Sequence, residues 1–363
     1  RSFIEAGQWR KAAASCKNWL KSRNTLPLIR VFYAEALRNM QKYQAAANHL
    51  KLALKESPAE LEYWYASIMV SWEAGDYKYL QRALNKATAL GGDQDLIKRF
   101  TVLHNARTSK NTKDLIGELQ DAIRTLGPEP EIMYCLADAF LKIGLLDEAL
   151  GWYKKTITLK KNHERAYLGQ IAALEALIAE GNIKKDEHKN LDSLYKAYLE
   201  LWPSNSSIRR DRAIFLLKTL DFEEAAAELE RLLAFEPGKY SLRRVLSYAY
   251  RKIGRYREAA VYLKALLREK PDDMMLLIEY SHCIDRAGAP AYAMTILQKA
   301  MGYFPPNANL SIAGGILCMR QRKLQEAYEY FREAALLSPE DARPEQWMKI
   351  CQNEIKKRRN TKK

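Results

Sequence analysis

Four prolines in the second half of the chain, Pro237, Pro271, Pro305 and Pro339, stand 34 residues apart. That period, held without a gap over 206–339, limits the possible folds more than any other feature of the sequence. With Pro237 as position 32 of a unit starting at Ser206, further units start at Tyr240, Met274 and Ala308. Position 20 then reads Ala225, Ala259, Ala293 and Ala327, and position 24 reads Leu229, Leu263, Leu297 and Phe331. Small residues at positions 8 and 20, such as Ala137 with Ala149 or Ser247 with Ala259, allow two helix backbones to approach closely. A larger side chain there would overpack the contact at a cost of roughly 1–3 kcal/mol. Proline at position 32 cannot continue the second helix and is expected in the first turn of the next. In the segment Ser57, Pro58, Ala59, Glu60, the serine is expected to cap that helix and the glutamate to close a capping box.

The unit at Tyr240 carries the pattern most fully, with Ser247 at position 8, Tyr250 at 11, Gly254 at 15, Tyr256 at 17, Ala259 at 20 and Pro271 at 32. On these residues the chain resembles the tetratricopeptide repeat superfamily, of the kind found in bacterial arrays, whose unit is a 34-residue helix-turn-helix. The resemblance implies an all-α, right-handed superhelix, an α-solenoid of about nine units closed by a C-terminal capping helix.

Counting back by the same period organises the rest. Residues 1–26 read as an incomplete repeat, with Gly7 at position 15, Trp9 at 17 and Ala12 at 20. Two units fill 27–94, and Gly91 and Gly92 replace the proline of the second. Residues 95–129 fit poorly and read as a degenerate repeat, two amphipathic segments around a polar break at 107–113. A regular unit at 130–163 is followed by one at 164–205 with eight extra residues around 178–188, either a longer first helix or an expanded loop. Four regular units span 206–341, a capping helix is expected over 342–355, and the basic run 356–363 is expected to be disordered. A chain that begins inside a repeat would expose an apolar flank, so the natural protein is expected to extend further at this end, or the open repeat to pair with another copy.

Composition narrows the function classes. A hydrophobic fraction of 48% with 28% charged residues suits a folded helical protein. The longest apolar window, 310–319, is too short for a membrane span, which needs about 20 residues. Cys16, Cys135, Cys283, Cys318 and Cys351 are dispersed and odd in number, and read as reduced core thiols, a usage that leans cytosolic. A periplasmic location stays open if a signal or anchor has been removed. The net charge is +15; six of these charges lie in 356–363, where they would bind polyanions weakly and non-specifically, leaving +9 elsewhere.

No catalytic, cofactor or metal constellation stands out. His282 and Cys283 are adjacent, hence on different faces of a helix, and CxxC, HExxH and phosphate-cradling glycine motifs are absent. His49, His104, His163 and His188 are isolated, and Gly314 and Gly315 fall on packing positions. The reading is therefore non-enzymatic. In the family that the repeat resembles, ligands commonly bind a concave face built from helix A, the first of each pair, at positions 2, 5, 9, 12 and 13. Carried over, these positions give Tyr65, Trp72 and Tyr134 in the early units. The later units supply a basic track of Arg210, Lys218, Arg244, Tyr248, Arg251, Lys252, Arg286 and Arg320, with Arg209 and Arg243 flanking it at position 4. Such a track could hold an acidic or C-terminal peptide through charge-assisted hydrogen bonds, although solvation alone also puts long basic side chains on helix faces. The carboxylate clamp of some family members needs Lys or Arg at position 5 and Asn at 9. Here Ile214 follows Arg210 and Tyr248 follows Arg244, so that function is not implied. The expected role is a scaffold or adaptor for protein segments. The alternative is a periplasmic component of an envelope or exopolysaccharide-export assembly that handles a polyanion.

Overall fold

The computed structural model describes residues 2–22, 27–181 and 186–361, and among them the elements are all helices. The chain divides into two compact units, Arg1–Leu194 and Tyr195–Lys363. In the first, α1 (Ser2–Glu5) and α2 (Trp9–Ser22) precede four pairs: α3 (Pro27–Asn39) with α4 (Tyr43–Glu56), α5 (Leu61–Ala74) with α6 (Tyr77–Ala89), α7 (Gln94–Thr108) with α8 (Thr112–Leu126), and α9 (Pro130–Lys142) with α10 (Leu146–Leu159). Then come α11 (Glu164–Ala179) and α12 (Glu187–Leu201), within which the division falls. The second unit pairs α13 (Ser206–Lys218) with α14 (Phe222–Phe235), α15 (Tyr240–Lys252) with α16 (Tyr256–Glu269), α17 (Met274–Arg286) with α18 (Pro290–Tyr303), and α19 (Ala308–Arg320) with α20 (Leu324–Leu337), and ends in α21 (Ala342–Thr361).

The turn inside most pairs repeats in detail, the exception being α7 with α8, where Ser109 at position 15 has a φ of −67°. In the others the residue at position 15 takes a positive φ, and the next amide donates back to the carbonyl of position 11, as from Asp76 to Ser71 (2.9 Å), Asp221 to Leu216 (2.9 Å), Arg255 to Tyr250 (2.8 Å) and Lys323 to Cys318 (2.9 Å). This is the six-to-one bond that satisfies a carbonyl left over at a helix end. Glycine holds the conformation at Gly75, Gly144, Gly254 and Gly288, whereas Gln41, Leu220 and Arg322 hold it at φ of 58°, 64° and 61°.

Packing follows from the small positions. Ala34, Ala46, Ala137, Ala149, Ala213, Ala225, Ala259, Ala293 and Ala327 are fully buried. Where position 8 is Gly315, a Cβ would stand 2.6 Å from the Phe331 ring, so the larger residue at position 24 is matched by the loss of a side chain opposite. Cys135, Cys283, Cys318 and Cys351 are buried and Cys16 partly so; all five are free thiols. Burial pushes Cys135 up to about 12 and Cys283 and Cys318 up to about 11.

Three expectations change. The repeat proline precedes the next helix by three residues rather than entering its first turn: α15 begins at Tyr240 after Pro237. It lies in the linker, where its carbonyl receives a side-chain N–H from position 4 of the next unit: Trp64 Nε1 to Pro58 (2.9 Å), Arg209 to Pro203 (2.8 Å) and Arg243 to Pro237 (2.6 Å). Accordingly Ser57 caps no following helix; Glu60 is the residue before α5, without a side-chain cap bond. The stretch 95–129 forms two helices, α7 and α8, capped by Asp93 and Asn111 side chains, with Ser109 at a φ of −67° in the break between them. The run 356–361, expected to be disordered, continues α21, while 362–363 lie outside the described residues. The extra residues near 178–188 lengthen α11 to 16 residues against 13 in α9, and 182–185 of that stretch are likewise outside the described residues.

Candidate functional site

Helix A positions 2, 5 and 9 of α17 carry Met275, Ile278 and His282, and α19 presents Ala313, Ile316 and Leu317 beside them. Together with Leu297 of α18 they wall a cavity of 310 Å³, at the lower end of the size range of ligand pockets, about 300–1,000 Å³. Charged groups rim it. Glu279 faces two arginines of α15, Arg251 at 2.9 Å and Arg244 at 3.3 Å, and Asp285, itself buried, pairs with Arg320 of α19. Between the two carboxylates along α17 stands His282, its ring edge-on to Tyr256 at 5.8 Å. Burial, then Arg251, Arg286 and Arg320, hold the imidazole below its ordinary pKa, so at neutral pH it offers a neutral donor and acceptor. The result is an apolar hollow whose rim holds three arginines already engaged by two carboxylates.

The basic track occupies two kinds of place. Lys218, Lys252, Arg286 and Arg320 are the last residues of α13, α15, α17 and α19, where a cation complements the carbonyl end of the helix by about 0.3–1 kcal/mol. Arg210 pairs with Glu236 at 3.0 Å, and Arg244 and Arg251 share Glu279. Lys218 and Lys252 are exposed; Lys252 lies 5.3 Å from the Tyr248 ring, which meets Phe222 edge-on at 6.0 Å. Arg286 lies 4.9 Å from the Tyr256 ring centre. Arg209 and Arg243 do not flank this face. Arg209 is buried, with Arg212, around the carboxylate of Glu228, and Arg243 pairs with Glu269.

The aromatic candidates of the first unit are held by their own neighbours. The Tyr65 hydroxyl accepts from the Asp93 amide at 2.7 Å, pinning the linker after α6. Trp72 meets Phe100 edge-on at 6.4 Å, and Tyr134, 9% exposed, packs against Tyr153 and His163. Nδ1 of His163 accepts from the Ala166 amide, so its Nε2 carries the proton donated to Glu131 at 3.1 Å. Arg107 of α7 reaches both rings, 5.9 Å from the centre of Trp72 and 6.0 Å from that of Tyr134.

Sequence reasoning followed cations and so missed Met275, Ile278, His282 and Ile316. The readable signal was Met275 and Ile278 at positions 2 and 5 of one unit and Ile316 at position 9 of the next, where a purely solvated face would be polar. Among the described residues no group of three or more His, Cys, Asp or Glu is placed to hold a metal ion, and no helix is long and apolar enough to cross a membrane.

These paired helices in a 34-residue frame agree with what the chain is similar to. The sequence profile described as Tetratricopeptide repeat matches residues 216–277. The TPR repeat-containing protein MJ1428 of Methanocaldococcus jannaschii is 30% identical over 88 residues, 23% of this chain and 16% of that relative, so the chain spans about a sixth of its length. Among solved structures, a tetratricopeptide repeat protein from Parabacteroides merdae superposes with a TM-score of 0.37 at 16% identity, covering 70% of this chain and 99% of that one. PilW, a widely conserved type IV pilus biogenesis factor, does so with a TM-score of 0.47 at 14% identity, covering 61% and 99%. Residues 216–277 thus match the tetratricopeptide repeat, and the helix pairs on either side of them keep its helix-turn-helix form.

Proposed function

We propose that the chain is a non-enzymatic scaffold that holds an extended segment of a partner protein along helix A of the second unit, with one apolar side chain of that segment seated between α17 and α19. The carrying observation is the cavity walled by Met275, Ile278, Ala313 and Ile316. The rim favours an apolar anchor over a purely acidic segment. Arg244, Arg251 and Arg320 already have carboxylate partners, and a ligand carboxylate would have to displace Glu279 or Asp285 to reach them. Arg210, Lys218, Tyr248, Lys252 and Arg286 then orient the segment's polar groups along the same face. Burial raises the pKa of all five cysteines, which suits packing and not nucleophilic chemistry.

Panning a displayed 12-residue random library against the wild type and against Ala313→Phe, which fills the hollow, tests this reading. Enrichment of sequences with a fixed Leu, Ile, Met or Phe, lost on Ala313→Phe, is expected. Enrichment of acidic sequences without an apolar anchor, equally on both proteins, would overturn it.

A further inference from the structure

The first unit holds a ladder of rings and guanidinium groups that the groove of the second unit does not use. Trp72, Arg107, Tyr134 and Arg165 come from α5, α7, α9 and α11, one from each successive first helix. Arg107 lies 5.9 Å from the Trp72 ring centre and 6.0 Å from that of Tyr134, and Arg165 lies 5.0 Å from Tyr134. Both rings are anchored in the core cluster of this unit, so the aromatic surface near the guanidinium is in place before any ligand arrives.

Charge is unevenly satisfied here. Arg165 is bonded to Glu131, which also takes the His163 hydrogen bond, and Asp138 is held by Lys142 at 2.9 Å. Elsewhere in this unit Arg38 pairs with Glu73 at 3.3 Å and Arg99 with Glu129 at 2.8 Å. Arg107 is exposed and has neither an ion pair nor a hydrogen bond among the described residues. Its place in the last turn of α7 accounts for a cation there, but not for a planar fork within 6.0 Å of two ring centres. Three cations, Arg107, Arg165 and Lys142, thus face two carboxylates, Glu131 and Asp138, leaving one positive charge and a full set of guanidinium donors.

We infer that Arg107, braced by Trp72 and Tyr134, is a binding site for one carboxylate of a peptide. One uncompensated charge matches a monoanion, and two N–H groups of the fork match its two oxygens. A phosphate dianion would be matched by too little positive charge and would stand near Glu131 and Asp138. The arrangement is not the Lys or Arg at position 5 with Asn at 9 noted above, since those positions here are Tyr134 and Asp138. It is independent of the cavity in the second unit.

The test follows the indole N–H resonance of Trp72, assigned with Trp72→Phe, in the ¹⁵N-labelled full chain. The titrants are acetyl-Gly-Asp-Gly-amide, acetyl-Gly-Gly-Gly with a free C-terminus, inorganic phosphate and sodium chloride, at matched ionic strength. A saturable shift with either peptide is expected; the peptide that binds more tightly tells whether the carboxylate is a side chain or a chain end. Arg107→Lys, which keeps the charge but loses the fork, should weaken that binding about tenfold, and Arg107→Gln should abolish saturation. A shift no different from that with chloride, tighter saturation by phosphate, or unchanged curves in Arg107→Gln would each overturn the assignment. Ala313→Phe should leave these titrations unchanged.

Discussion

Position 15 shows how one residue's backbone shapes the turn that joins a pair. Its positive φ is cheap for Gly254 and costs other residues about 1–2 kcal/mol, because Cβ crowds the neighbouring carbonyl. Leu220 bears that cost while 70% exposed, so its side chain offers little burial in return. Leu220→Gly should therefore raise unfolding free energy in urea by about 0.5–1 kcal/mol, after the entropy that glycine adds to the unfolded chain, while Gly254→Ala should lower it by about 1 kcal/mol. A stabilising Gly254→Ala would refute the assignment of strain. The left-handed turn was legible wherever the sequence has glycine at position 15. It was not legible at Gln41, Leu220 or Arg322, where contacts of the whole pair override a local preference. Likewise, Gly314 and Gly315 were readable as packing positions, but the closeness of the Phe331 ring to Gly315 depends on a partner helix.

Between elements, the least legible feature is how the arginines are used. Arg209 and Arg212 of α13 converge on Glu228 of α14, which is 1% exposed and also takes Arg231 at 2.6 Å. A carboxylate buried among guanidinium groups is costly to remove, because the remaining charges stay desolvated. Glu228→Gln should destabilise the second unit by about 3 kcal/mol or more in chemical denaturation, whereas a surface pair such as Arg332 with Glu329 should contribute below about 1 kcal/mol. Glu224 gives the matching pH dependence. The Arg212 hydrogen bond, against some desolvation and aided by Lys196, holds its carboxyl below the ordinary 4.5. Its folded pKa is depressed, so its contribution is present above the unfolded value and is lost as pH falls through the folded one. The stability gap between wild type and Glu224→Gln should accordingly be largest at neutral pH and shrink below about pH 4. A gap unchanged at pH 3 would contradict this. From the sequence, Arg209 was only another cation at position 4; its tie to the linker proline and to Glu228 appears once two helices and a turn come together.

At the scale of the whole molecule, the repeat frame was readable because 34-residue recurrence is visible without knowing any contact, and the helices of the second unit begin at the residues that start the repeats. Where the frame stops recurring, the longer first helix was one of the two readings of the extra residues and α11 is lengthened, but a boundary failed at α21, whose helix carries on through basic residues expected to be disordered. The candidate site was half readable. Concave positions could be assigned by register, but a net charge of +15 drew attention to arginines whose carboxylate partners, Glu279 and Asp285, lie on the neighbouring repeat. Counting charges along a chain cannot show which are already spent. The central claim, that recognition in the second unit rests on an apolar anchor, is tested most directly by calorimetry of a panned peptide and its anchor-to-alanine version on wild type, Ala313→Phe and the Arg244→Glu, Arg251→Glu double variant. The account predicts that anchor removal and Ala313→Phe each weaken binding at least about tenfold, and the charge reversal less. Binding that survives anchor removal and Ala313→Phe but disappears on charge reversal would contradict it.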